Sequence, residues 1–149
     1  AGLVIWLFAN IQINEISILT YVANFFDPFG KLLGLDGYII TAFLLGLPAN
    51  EIVLPIILMS YAKTGTLLHL ENLADISQIL LNNGWTLLTA INIMILSLLH
   101  FPCGTTLMTI KKETGSLKYT ALSFIIPTFC GVILCMVTTL IYNICYLII

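Results

Sequence analysis

"LLGLPANEIVLP" (residues 44–55) sets two prolines, an asparagine and a carboxylate inside a run that is otherwise apolar. The surrounding stretch, "LDGYIITAFLLGLPANEIVLPIILMSY" (residues 35–61), has the length of a membrane crossing, which takes about 20 apolar residues for a hydrocarbon core of roughly 30 Å. An unpaired backbone amide or carbonyl costs several kcal/mol in hydrocarbon, where no water replaces the lost bond. A proline within a spanning helix removes one donor and crowds the carbonyl four residues back. The stretch therefore predicts a helix broken near its middle, with its freed polar groups turned toward protein or a cavity.

Composition places the whole chain in the membrane. Of 149 residues, 60% are hydrophobic and 8% are charged, and the mean hydropathy is +1.09, against about 25% charged residues in a soluble domain. The chain has five Lys and no Arg, which speaks against a nucleic-acid surface. No GxxxxGK[ST] loop is present; "DPFG" (27–30) fits a DxxG pattern only as a turn ending an amphipathic segment. The four Cys (103, 130, 135, 145) form no CxxC pair and lie in apolar runs, so no disulfide framework is expected. Cys130, Cys135 and Cys145 share no helical face and read as packing residues.

The expected fold class is all-α: a polytopic integral membrane protein with two Pro-interrupted transmembrane helices and interfacial amphipathic helices. Residues 1–10, apolar from the first position, read as the end of a truncated transmembrane helix, and residues 11–36 as an interfacial connector. In that connector Ile18, Tyr21, Val22, Phe25 and Phe26 repeat at helical spacing before Pro28 and Gly30. Residues 37–149 form the transmembrane domain, with helices over about 37–62, 85–110 and 119–149. The last is long enough to tilt or bend at Pro127 and Gly131. A second connector, 64–84, carries Leu67, Leu70, Leu73 and Leu80 on one side and should lie along the membrane surface; Tyr61, Trp85 and Tyr119 suit an aromatic belt. The short connector "KKETGSLK" (111–118) is expected to face the cytoplasm. If every segment crosses, four Lys lie inside against one outside.

The second interruption is "HFPCGT" (100–105). Paired breaks of this kind point to a transport site, where unwound backbone lines a cavity near the midplane. Glu51 would cost roughly 2.5 to 3.5 kcal/mol at a helix centre on insertion scales, so it should meet a cavity, a partner or a cation, or be protonated and bonded to a neighbouring helix. Asn50 offers a neutral oxygen beside it if the backbone unwinds at Pro48. His100 and Cys103, three apart, share a face, and imidazole with thiolate suits Fe(II), Zn(II) or Cu rather than Mg(II) or Ca(II). Each also has an ordinary reading: Cys103 as packing, His100 as a bond to a carbonyl freed by the break. Pro102 and Gly104 belong to the break itself. Thr105, Thr106 and Thr109 can bond freed carbonyls, and Met59, roughly on the face of Glu51, could add a soft thioether.

Taken in order, "LPANEIVLPI", "HFPC" and "TIKKETGS" resemble the C-terminal membrane region of the bacterial ferrous-iron transporter B (FeoB) family, from about residue 27 to about 135. The resemblance implies a multi-pass permease of the bacterial cytoplasmic (inner) membrane with Gate-type motifs. Fe(II) would be its transported substrate, with no bound cofactor evident, and GTP would act only through a separate domain. It carries the family's second Gate motif onto Pro102 and Cys103, with Cys103 handling metal, and its "PANE" segment onto Pro48, Asn50 and Glu51. The GTPase and the first Gate motif have no counterpart in these residues. The implied partners are the lipid bilayer and the N-terminal GTPase and membrane segments of the transporter; a homo-oligomer is compatible with this reading, and no nucleic acid is expected.

Two other functions fit the same residues: a Gate-type carrier of nucleosides or another small solute, and a non-transporting structural membrane subunit whose breaks serve helix packing. An intramembrane hydrolase does not fit, because Glu51 and His100 lack HExxH spacing and no serine nucleophile motif is present. The chain itself is expected not to be an enzyme.

Overall fold

The computed structural model describes residues 11–13, 16–47, 50–62 and 73–148. The expected helix over 1–10, Pro48, and Leu67 with Leu70 lie outside the described residues. Strands β1 (Gln12–Ile13) and β2 (Ile16–Ser17) form a minimal antiparallel ladder. The rest of the described structure is helix, turn and bend, so the all-α class holds. Two stretches, Leu87–Thr114 and Leu117–Leu147, are long and apolar enough to cross a membrane, or three if a bent pair near the N-terminus counts as one span.

That bent pair is α1 (Ile18–Leu32) and α2 (Gly37–Leu45), which meet at 110°. Small residues let them touch. Ala23 and Gly30 are buried on α1, and Gly37 opens α2 directly against the Ala23 carbonyl. Several large apolar residues of α1 turn the other way, with Phe25 76% exposed and Tyr21 and Phe29 exposed too, while Leu19 is buried and Phe26 packs on the core. Small residues thus make the contact with α2 while these aromatics stay outside, as membrane helices associate through small residues and leave bulky ones to lipid.

The segment expected as a helix over 37–62 is interrupted where its prolines and polar residues stand, but it does not run on. After α2 come a 3-10 turn (Asn50–Ile52) and α3 (Val53–Ala62). The Tyr61 hydroxyl at the far end of α3 donates to the Asp36 carboxylate that caps α2, across 25 positions of sequence; a straight helix would hold those positions about 37 Å apart. Tyr38 and Tyr61 stack edge to face at 5.8 Å. A Cβ on Gly46 would lie 2.5 Å from Val53, so the two arms are already in contact near the break. The segment is a helical hairpin with both ends at one level. The parity expected from the Lys distribution assumed that every segment crosses.

The ends of the hairpin are tied by polar bonds. Asp36 Oδ1 accepts the Ile39 amide at 2.7 Å, and Trp85 Nε1 donates to the Tyr61 hydroxyl at 2.9 Å. Tyr61 is buried in this clamp, and Tyr119 is exposed. Trp85 follows α4 (Leu73–Asn82), whose Ile79 and Leu80 pack against the core.

Helices α5 (Leu87–Leu99) and α6 (Gly104–Thr114) run end to end alongside α7 (Leu117–Ile148). Helix α7 is continuous through Pro127 and Gly131. The glycine there lets α5 approach, since a Cβ would lie 3.1 to 3.2 Å from Leu99. Outward residues such as Ile126, Phe129 and Leu140 stay exposed, as a lipid-facing helix requires.

A fully buried asparagine locks this pair. Asn92 Nδ2 donates to the Leu33 carbonyl at 2.7 Å and to Thr139 Oγ1 at 2.9 Å, while its Oδ1 accepts from Thr138 and its carbonyl from Cys135 Sγ at 3.4 Å. Gly34, at φ +66, makes room: a Cβ there would sit 2.7 Å from both Asn92 and Thr139. Interhelical side-chain bonds in membranes average about 0.6 kcal/mol each, so Asn92→Leu should cost about 2 kcal/mol. The readout is a lowered thermal midpoint of the purified protein in detergent; an unchanged midpoint would show that the knot contributes nothing.

Candidate functional site

The two breaks meet. Leu47, at the end of the first arm of the hairpin, has a carbonyl freed by the interruption, and it accepts the Gly104 amide, the first N–H of α6, at 3.0 Å. Both groups would otherwise be orphans of a helix end. A methyl on Gly104 would meet Leu47 only at an ordinary 3.8 Å, so its amide, rather than its lack of a side chain, makes the link.

Around this link lie two cavities. One, of about 360 Å³, is bordered by Asn50, Ser97, His100, Pro102, Cys103 and Thr106, with Pro127 of α7 behind. The other, of about 480 Å³, is bordered by Asn50, Glu51, Trp85, Met94 and Ser97 among others. Asn50, Ser97 and Leu98 line both. A larger hollow of about 580 Å³ along α7, between Leu32 and Leu147, is walled almost entirely by aliphatic side chains and holds none of the candidate residues.

Cys103 caps α6 from an extended backbone, and its sulfur lies 3.1 Å from both the Thr105 and the Thr106 hydroxyls. Those threonines thus face the thiol; Thr109 bonds back to the Thr105 carbonyl at 3.0 Å, as a hydroxyl near a break can. His100 ends α5. Its Nδ1 lies 2.9 Å from the Ser97 carbonyl, which makes it the donor there, and its ring packs edge to face on Phe43 and Phe101, each at 5.2 Å. Its Nε2 is buried and bonds to nothing among the described residues. Asn50 and Glu51 are exposed in the 3-10 turn, and neither side chain makes a hydrogen bond or ion pair among the described residues.

A family model described as Gate, nucleoside recognition, matches residues 1–117. The chain belongs to the Gate family. The match takes in both interrupted segments and ends at the first residue of α7. Among curated relatives, the Fe(2+) transporter FeoB of Staphylococcus aureus strain MSSA476 is 32% identical over 134 residues, covering 85% of this chain and 19% of the relative. The FeoB of strain COL aligns with the same identity and coverage. The chain thus spans about a fifth of the length of these transporters. No solved structure matches it.

In this Gate chain the structure gathers Asn50, His100, Pro102, Cys103 and Thr106 around one cavity and puts Glu51 in the adjoining one. Met59 is not with them: it is buried in the hydrophobic core, because the hairpin turns that face of α3 toward α2. The thioether in the Glu51 cavity belongs to Met94. No group of three or more His, Cys, Asp or Glu side chains is close enough to hold an ion among the described residues; the donors are strung along the cavities instead. Ser97 and Asn92 went unmarked in the sequence, although a polar residue within "LLTAINIMILSLLH" (87–100) was a readable signal.

Proposed function

We propose that this chain is the C-terminal permease portion of a ferrous-iron uptake transporter of the bacterial cytoplasmic membrane, passing Fe(II) inward in a system coupled to a GTP-binding domain on other residues. The observation that carries this reading is the Leu47–Gly104 bond, which joins the two breaks and brings Asn50, His100 and Cys103 to one cavity. Thiol, imidazole and amide oxygen together suit a borderline cation better than Mg(II) or Ca(II). Spread along two cavities, they bind such an ion weakly enough at each point for it to move on. The relatives' name, Fe(2+) transporter, supports the choice of substrate.

Glu51 supplies the negative charge in the second cavity. Glu51→Ala in the intact transporter should cut Fe(II) uptake severalfold at unchanged membrane abundance, whereas Glu51→Asp should retain part of it. Radioactive iron uptake by cells, normalised to transporter in the membrane, measures both; parental uptake by Glu51→Ala would remove the carboxylate from the path.

A second reading has its own support. The family description names nucleoside recognition, and the Glu51 cavity holds an indole and a carboxamide, Trp85 and Asn50, that could stack on and hydrogen-bond a base. Uptake in the presence of excess nucleosides separates the two. Competition by a nucleoside with no competition by Fe(II) would favour the solute carrier.

A further inference from the structure

We infer that Ser97 is a specificity-determining residue of the path, its hydroxyl forming with the Asn50 carboxamide a neck of neutral oxygens through which a partly dehydrated divalent cation passes between the Glu51 and Cys103 cavities. This rests on the cation-path reading above. Ser97 and Asn50 are the polar side chains that border both cavities.

The hydroxyl is also uncommitted. Elsewhere on these helices, Thr41, Ser60, Ser123 and Thr128 each donate to a carbonyl three or four residues back on their own helix. Ser97 Oγ makes no hydrogen bond among the described residues, and the Asn50 carboxamide is equally free. Meanwhile the Ser97 backbone is held in place, because its carbonyl, freed where α5 ends, takes the bond from His100 Nδ1 at 2.9 Å. The fixed backbone keeps the exposed hydroxyl at the border of both cavities, with its oxygen free to turn toward an ion.

The chemistry follows from the ligand types. Ser and Asn offer neutral, hard oxygens, whereas Cys103 on one side offers sulfur and Glu51 on the other a full charge. An ion held by Glu51 can exchange water for two neutral oxygens without being trapped, then meet the thiol, a partner that favours Fe(II) over Mg(II).

The test uses the intact transporter in bacterial membranes with Ser97→Cys, treated with a positively charged, membrane-impermeant methanethiosulfonate, and with the modified position identified by peptide mass. Asn50→Cys is the path reference, and Ser60→Cys, at a buried position of the hairpin, is the negative reference. The expected result is modification at positions 97 and 50 but not 60, slowed severalfold at 97 by Fe(II) and not by Mg(II). Modification at 50 but not 97 would overturn the role of Ser97 while leaving the path intact. Modification at neither would overturn the path and the inference together. Modification at 97 indifferent to Fe(II) would make it a wet surface rather than a cation position. In parallel, Ser97→Thr, which keeps the oxygen, should hold near-parental iron uptake, and Ser97→Val, of the same shape without it, should lose it severalfold at equal abundance. Equal uptake by the two would also overturn the inference.

Discussion

Replacing Cys103 by Ser in the intact transporter is expected to lower Fe(II) uptake about tenfold or more, with the amount of protein in the membrane unchanged. The side chain keeps nearly its shape, and the Thr105 and Thr106 hydroxyls, now 3.1 Å from the sulfur, would still have a partner. What changes is the donor: a hard hydroxyl replaces a soft sulfur, so the loss should be larger for Fe(II) than for any residual Mn(II) passage. Cys103 lies at the edge of its cavity and is only partly buried, so folding does not depend on it. Metal-dependent X-ray absorption of the purified transporter gives a second readout: a sulfur neighbour to iron in the parent that is missing in the variant. Parental uptake by Cys103→Ser would refute the assignment of the thiol to the path, whatever the spectrum showed.

The largest effect on stability is expected at Gly37. A Cβ there would sit 1.9 Å from the Ala23 carbonyl oxygen and 2.9 Å from the Asp27 amide, both backbone atoms that no rotamer change can move. Opening α1 from α2 would also disturb Asp27, which accepts the Gly37 amide at 3.4 Å and pairs with Lys31 at 2.6 Å, and the Asp36 cap beside it. Gly37→Val should therefore cost more than about 3 kcal/mol, at or beyond the upper end of overpacking effects, and abolish monodisperse protein after extraction. Gly104→Ala is the matched comparison: space is available there and the amide is retained, so it should fold normally and transport iron. A well-folded Gly37→Val protein would mean that the close approach of α1 and α2 is unimportant.

Much of the site could be read from residue chemistry alone. A carboxylate beside prolines in "LPANE" is costly in hydrocarbon, and that cost marks it whatever the fold, while the thiol after "HFP" is marked by its place at the second proline break. Of the two readings of His100, the geometry shows the structural one: one ring nitrogen bonds a carbonyl freed by the break, while the other is buried without a partner among the described residues. Met59 packs in the core as gap-filling methionines do, because the 3-10 turn at Asn50–Ile52 resets the helical phase between it and Glu51. Trp85 and Tyr61 were assigned to a membrane belt by their position at the ends of apolar runs, although they bond to each other across 24 residues.

Hydropathy and proline placement are local properties, so the amino-acid order was enough to establish the membrane class, the two interruptions and the polar residues they carry. Folding back is not local. The first interrupted segment closes into a hairpin because Tyr61, Asp36 and Trp85 bond across 24 and 25 positions, and its arm reaches the second break because α1, α5 and α7 are locked around Asn92. Those long-range bonds bring the Leu47 carbonyl to the Gly104 amide, and with that contact two breaks far apart in sequence lie side by side, bordered by the same cavities.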